Sequence, residues 1–152
     1  GYDLLLWLLV VKGGGDIQQH MASLIYGENL KSSESSQFQI IESEKQINLA
    51  ISKTENSDKI LVIKFYADWC VSCNKLERVV FSDSGVAQAL RNTIALTADV
   101  TENNQVNQKL LAKFNLVGPP VILFFKDGKE QRSYRIIGEI SADEFLKHVN
   151  SL

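Results

Sequence analysis

A chain of 152 residues, 45% hydrophobic and 22% charged, has the composition of one globular domain with a tail and is too short for two ordinary domains. Its 16 basic and 18 acidic residues give a net charge of −2 without long blocks of one sign, which argues against nucleic-acid binding and against a polybasic membrane-binding segment. Two cysteines are too few for the disulfide framework of a small secreted domain.

Residues 1–37 are predicted to be an extension rather than part of the folded domain. The apolar run at residues 4–11 is shorter than the roughly 20 residues that span a bilayer, so it is either the end of a membrane helix or a short segment packed on the domain. Residues 20–23 resemble the scar of a cleaved expression tag, and residues 31–36 are serine-rich, as linkers are. We expect a tether or an expression artefact here, without chemistry of its own.

From residue 38 onward, the apolar pattern predicts strands that alternate with helices. Strands are predicted at residues 38–41, 60–66, 93–100, 121–125 and 133–137. The predicted inner faces of four helices are Ile47, Ala50 and Ile51; Leu76, Val79 and Val80; Val106, Leu110, Leu111 and Phe114; and Phe145, Leu146 and Val149. One further short helix is predicted over Val86 to Leu90. Capping boxes at Ser43/Gln46 and Ser141/Glu144 mark two helix starts.

The order of these elements predicts an α/β fold with a central mixed sheet flanked by helices. The nearly continuous apolar run at residues 60–66 is typical of a central strand buried on both faces. Alternation of strands and helices implies parallel βαβ units, and the Asp127-Gly128 pair predicts a hairpin that adds an antiparallel edge.

Both cysteines of the chain lie in the stretch YADWCVSCN, residues 66–74, at the junction between a strand and a helix. A structural bridge between Cys70 and Cys73 would close a very short loop and therefore stabilise the fold little. A zinc site needs four ligands, and the two histidines, His20 and His148, lie far from the pair in sequence. A CxxC pair at such a junction in a βαβ setting is typical of a redox couple.

Residues 38–152 resemble the thioredoxin superfamily throughout. The match rests on the strand that ends in WCVSC (69–73), on the GPPV turn (118–121) and on the Asp127-Gly128 hairpin. Within the superfamily, residues 66–73 with Glu77, residues 81–83 and residues 115–125 resemble the C-terminal domain of the DsbD family, thiol:disulfide interchange proteins of the bacterial inner membrane. An apolar stretch and a polar linker ahead of the domain also suit that family.

The resemblance implies a protein-disulfide reductase that works through its cysteine pair, with no other cofactor and no metal. A helix N-terminus favours a thiolate at Cys70, the expected attacking thiol, and Cys73, one turn deeper, is the expected resolving thiol. Pro120 is implied to be the cis-proline that faces the thiols, the alternative being an ordinary trans Pro-Pro helix stop. Trp69 either belongs to the docking surface or is ordinary packing, and Asp68 is expected to be a solvated neighbour rather than a proton carrier.

Lys64 departs from the family pattern. Six residues before the first cysteine, thioredoxins and DsbD relatives carry a buried acid that shuttles the proton of the resolving thiol, and this chain has a lysine. An unpaired buried lysine is costly, so we expect Lys64 to pair with Glu77 beneath the couple, with Glu77 as the proton acceptor. The alternative is that Lys64 bends out to solvent without effect on the thiols.

The function implied by the resemblance is electron relay on the periplasmic side of the inner membrane, to which the full-length protein would tether the domain. The expected donor is a membrane-embedded dithiol, the expected acceptor is a periplasmic thiol protein or domain, and the domain itself is expected to be monomeric. One alternative is a free-standing periplasmic thioredoxin-like reductase, for example in cytochrome c maturation. Another is a non-catalytic binding module, against which the intact CxxC argues.

Overall fold

The computed structural model describes residues 37–152. The apolar run, the possible tag scar and the serine-rich linker all lie outside the described residues, so the domain boundary at Phe38 stays a prediction. No helix in the described range is long and apolar enough to cross a membrane.

Strands and helices alternate along the described range, as the apolar pattern predicts. In chain order they are β1 (Gln39–Ile41), α1 (Glu44–Ser52), β2 (Ile60–Tyr66), α2 (Val71–Val79), α3 (Ser84–Leu90), β3 (Ile94–Asp99), α4 (Gln105–Lys113), β4 (Val121–Lys126), β5 (Lys129–Glu130), a 3-10 turn (Arg132–Tyr134), β6 (Ile136–Ile137) and α5 (Ala142–Asn150). The capping boxes predicted at Ser43 and Ser141 are both formed.

One mixed sheet runs through the described range in the order β1-β3-β2-β4-β5, and β6 also pairs with β4. The prediction of a central strand at residues 60–66 is confirmed, because β2 lies between β3 and β4 and its Leu61, Val62 and Ile63 are 0% exposed. Helices α1 and α4 pack on one face of the sheet, and α2, α3 and α5 pack on the other. The segment that follows β2, with both cysteines, therefore lies at the carboxyl end of this central strand.

The direction of β4 differs from what alternation alone implies. Strands β1, β3 and β2 are parallel, whereas β4 runs antiparallel to β2. Strand β3 ends opposite Tyr66 and β4 begins opposite Phe65. The connection through α4 therefore starts and finishes at the same end of the strands. The periodicity of a helix does not indicate from which end the next strand begins, and therefore does not indicate the direction of that strand.

The hairpin predicted at Asp127-Gly128 is confirmed, but the strand predicted at residues 133–137 is wrong in its first half. Asp127 and Gly128 both have positive φ, 56° and 78°, the geometry of a two-residue hairpin loop. Beyond β5 the chain enters the 3-10 turn, and the hydroxyl of its last residue, Tyr134, donates to the carbonyl of Ser151 at the C-terminus of α5 (2.9 Å). The edge strand is therefore two separate two-residue pieces, β5 and β6.

Two of the predicted helix-face residues lie outside the core. Val79 is 50% exposed and Val106 is 52% exposed, so both assignments are wrong. Val79 is the last residue of α2, and Val106 lies in the first turn of α4, so both stand at helix ends. The other predicted inner-face residues are buried or partly buried.

Candidate active site

Cys70 and Cys73 are joined by a disulfide at the N-terminus of α2, with their Cα atoms 5.2 Å apart. Cys70 is the N-cap residue, and its Sγ accepts a hydrogen bond from the backbone N–H of Cys73 (3.1 Å). Cys70 is 7% exposed and Cys73 is 2% exposed. The first sulfur therefore receives a backbone donor at the positive end of a helix, an environment that favours a thiolate once the bond is reduced.

A side-chain network within the stretch YADWCVSCN holds the cysteine loop. The Asn74 amide nitrogen donates to the carbonyls of Asp68 and Cys70, at 3.1 Å each. The Tyr66 hydroxyl lies 3.0 Å from the Asp68 carboxylate and 3.1 Å from the Asn74 side-chain oxygen, and it donates to one of them at a time. Burial, reinforced by the Asp68 carboxylate, raises the pKa of Tyr66 to about 12, so this hydroxyl stays a donor at neutral pH.

Thr101, in the loop after β3, forms hydrogen bonds with the two residues that precede Cys70. Its hydroxyl oxygen accepts from the Asp68 backbone N–H (2.8 Å), and its carbonyl accepts from the Trp69 indole N–H (3.0 Å). Trp69 is nevertheless 60% exposed. Both Trp69 and Asp68 thus lie on the surface beside the disulfide, and whether either has a role in exchange stays a prediction.

Pro120 follows a cis peptide bond with Pro119, at the start of β4. The Pro120 carbonyl accepts from the Gly138 N–H (3.1 Å), and Gly138 has a φ of 95°, a conformation that L side chains rarely adopt. Pro120 and Cys73 line the same small cavity. The structure therefore places the predicted proline beside the predicted couple.

Glu139 follows Gly138 and reaches the first turns of α2. Its carboxylate accepts from the Ser72 hydroxyl (2.9 Å) and contacts the Lys75 ammonium at 3.1 Å. The hydrogen bonds from Lys75 and then Ser72, with the Lys75 charge, lower the pKa of Glu139 from its usual value. No local sequence pattern predicts this contact, because 67 positions separate Ser72 from Glu139.

Lys64 and Glu77 form an ion pair through the Lys64 ammonium and a Glu77 carboxylate oxygen. The Lys64 side chain is 7% exposed, so the alternative in which it bends out to solvent is wrong. Its ammonium lies 4.1 Å from the centre of the Phe38 ring and 4.5 Å from that of Phe81. Burial lowers the pKa of Lys64, and the charge and hydrogen bond of Glu77 oppose that effect.

A cavity of about 10 Å³ joins this ion pair to the couple, since its lining includes Lys64, Glu77, Cys73 and Pro120. That is about the space of one water molecule. The predicted pairing of Lys64 with Glu77 is thus observed next to the inner cysteine, and the role of Glu77 as proton acceptor stays a prediction.

Exposed apolar side chains lie close in sequence to the cysteines and to the Pro119-Pro120 bond. Val71 is 81% exposed and Val117 is 102% exposed, and Trp69 lies next to Cys70 in the chain. Among residues 37–152, no group of three or more His, Cys, Asp or Glu side chains is placed to hold a metal ion.

Comparison with known proteins matches the chain to thiol–disulfide exchange proteins. The thiol:disulfide interchange protein DsbD of Yersinia pestis is 39% identical over 115 residues, which are 75% of this chain and 19% of that protein. DsbD of Ralstonia nicotianae is 37% identical over 109 residues, or 72% of this chain and 18% of that protein. The chain therefore spans about a fifth of the length of these curated relatives.

Among solved structures, the reduced C-terminal domain of Neisseria meningitidis DsbD superimposes with a TM-score of 0.62 at 26% identity, covering 74% of this chain and 98% of that one. The predicted α/β fold is thus confirmed. The model of a family described as thioredoxin-like matches residues 42–127, more than half of the sequence. The chain therefore belongs to the thioredoxin-like family.

Proposed function

We propose that this domain relays electrons from a membrane-embedded dithiol to thiol proteins of the bacterial periplasm, with Cys70 as the attacking and Cys73 as the resolving thiol. The carrying observation is the Cys70–Cys73 disulfide at the N-terminus of α2, with Cys70 as the N-cap residue. The similarity to DsbD supports the donor, the acceptor and the periplasmic location.

Transfer to the acceptor takes two exchange steps. In the first, the Cys70 thiolate attacks one sulfur of the partner's disulfide, a mixed disulfide forms, and the partner's other sulfur leaves as a thiolate. In the second, Cys73 loses its proton and attacks Cys70, which closes the Cys70–Cys73 bond and releases the second partner sulfur. Two electrons pass to the partner, whose two sulfurs take up the proton lost by Cys73 and, because Cys70 reacts as a thiolate, one proton from solvent. The membrane dithiol restores the reduced couple by the reverse sequence.

The surroundings of the couple suit these steps. The helix N-terminus favours the Cys70 thiolate, and the partly exposed Glu77 carboxylate, on the cavity shared with Cys73, can accept the Cys73 proton. The exposed Trp69, Val71 and Val117 supply apolar contacts for a docked partner.

The reduction potential of the Cys70–Cys73 couple, equilibrated with glutathione, tests the proposal. A value near that of thioredoxin, about −270 mV, is expected for a relay of reducing equivalents. A value near that of the strong oxidant DsbA, about −120 mV, would overturn the proposal, because such a couple forms disulfides in its partners.

A second test asks whether the domain exchanges disulfides at all. The Cys73→Ser variant is expected to trap a mixed disulfide through Cys70, and the matched Cys70→Ser variant is expected to trap none. The wild-type chain is expected to reduce insulin. Failure in the insulin assay would favour the non-catalytic binding module.

A further inference from the structure

The loop that contains Glu139 connects two parts of the active site. Through its backbone, Gly138 donates to the carbonyl of Pro120, and the next side chain contacts Ser72 and Lys75 of α2. Ser72 lies between the two cysteines, so the Glu139 carboxylate is held beside the first turn of the helix that begins at Cys70.

We propose that Glu139 is a positioning residue that makes the Cys70–Cys73 couple more reducing, by holding a negative charge beside the N-terminal turn of α2. The inference deepens the proposed function, because it rests on Cys70 being the attacking thiol.

The sign follows from the charge that reduction creates. Reduction breaks the S–S bond, takes up two electrons and, above the pKa of Cys70, one proton, leaving a Cys70 thiolate and a Cys73 thiol. The helix N-terminus stabilises that thiolate, and a carboxylate nearby opposes this stabilisation. The reduced form is therefore less favoured, and its electrons are passed on more readily.

The contacts of Glu139 keep the carboxylate charged and in place. The Lys75 and Ser72 hydrogen bonds lower the pKa of Glu139, so it is ionised at neutral pH. Lys75 has the opposite effect on Cys70, since its ammonium stabilises a thiolate. The other charged groups around the couple are Asp68 on the surface and the Lys64–Glu77 pair beneath Cys73, and the variants below leave all of them unchanged.

The test compares variants of the 152-residue chain in two measurements. The pKa of Cys70 is read from the ultraviolet absorbance of its thiolate, and the equilibrium constant is measured against glutathione. Glu139→Gln retains an acceptor for Ser72 and removes the charge. We expect a lower pKa for Cys70 and an equilibrium shifted about threefold toward the reduced protein, the size typical of an exposed charge interaction. High salt should shrink the shift, which a merely structural effect would not do.

Two further variants complete the test. Asp58→Asn removes the same charge at an exposed position before β2, at the opposite end of that strand from the cysteines, and is expected to change neither measurement. Lys75→Met is expected to raise the pKa of Cys70. Unchanged values in Glu139→Gln, or an equal shift in Asp58→Asn, would overturn the inference. A wild-type potential near that of the strong oxidants would overturn the proposed relay instead, and the difference between wild type and Glu139→Gln would still decide the role of Glu139.

Discussion

The Lys64 ammonium contacts the Glu77 carboxylate one helical turn beyond Cys73, on the inner side of the couple. A cation therefore occupies this position of β2, and the acid of the pair comes from α2. Because the side chain of Lys64 is 7% exposed and that of Glu77 is 26% exposed, the carboxylate is the partner with access to water. The pair thus places a carboxylate on the cavity that Cys73 also lines, while satisfying a buried charge.

Removal of Glu77 is expected to lower the free energy of unfolding more than removal of Lys64. Glu77→Ala leaves the buried Lys64 ammonium without its carboxylate and should lower the free energy of unfolding by about 1–3 kcal/mol. Lys64→Met keeps an unbranched side chain against Phe38 and Phe81 and should be neutral or stabilising. Urea unfolding of both variants and of the double variant measures this. Equal losses in the two single variants would contradict it.

Exchanging the charge at residue 64 is expected to change the proton affinity of the inner thiol. Lys64→Asp replaces an ammonium by a carboxylate near Cys73, so the pKa of the Cys73 thiol should rise. Titration of both reduced thiols, with Lys64→Met as the neutral control, measures the change. Unchanged thiol pKa values in Lys64→Asp would show that the pair does not tune the couple.

The raised pKa of Tyr66 predicts a change of stability in alkaline solution. Its pKa is 10.0 in the reference state and about 12 in the folded domain, so the unfolded chain releases the proton first as pH rises. The contribution of Tyr66 is fully present below pH 10 and is lost as pH rises through about 12. An absorbance titration of wild type minus Tyr66→Phe isolates this group, and Asp68→Asn should lower its pKa. A Tyr66 midpoint near 10 would contradict the prediction.

Trp69 is expected to act in docking rather than in bond exchange. Because the ring is 60% exposed and its indole N–H is held by Thr101, Trp69→Ala should raise KM for a protein disulfide several-fold, about the effect of losing one aromatic contact at an interface. The rate with a small aromatic disulfide should be unchanged. Equal losses with both substrates would instead indicate that Trp69 supports the geometry of the couple.

Phe145 is expected to be the most sensitive position of α5. Its side chain is 0% exposed, and its ring lies 5.6 Å from that of Phe81 and 6.2 Å from that of Phe124. Phe145→Ala should lower the free energy of unfolding by about 3–5 kcal/mol through lost burial and the cavity left behind. The matched change Leu49→Ala, on the exposed side of α1, should cost far less. A small loss at Phe145 would mean that the core refills the space.

The sequence predicted those features that depend on local pattern. The buried strand at residues 60–66, the capping boxes and the Asp127-Gly128 hairpin need only a few neighbouring residues to specify them, and all three are formed. The CxxC pair was found for the same reason.

The features that the sequence did not predict depend on distant partners. The contacts of Thr101 with Asp68 and Trp69 exist because β3 ends beside β2, and this follows from strand register rather than from the residues themselves. The contact of Glu139 with Ser72 likewise depends on where the loop after β6 passes. Asn74, by contrast, stands directly after the cysteines, and its side-chain amide was a readable signal for a loop-holding residue.

The division of the edge strand into β5 and β6 has a consequence for aggregation. Strand β4 carries the buried apolar run Val121 to Phe125. A long, uninterrupted edge strand beside it would present a row of free backbone groups with which another chain could pair. Because β5 and β6 have two residues each and a 3-10 turn stands between them, that side offers no continuous row of free backbone donors and acceptors. On this side of the sheet, copies of the domain therefore have no long strand template through which to aggregate.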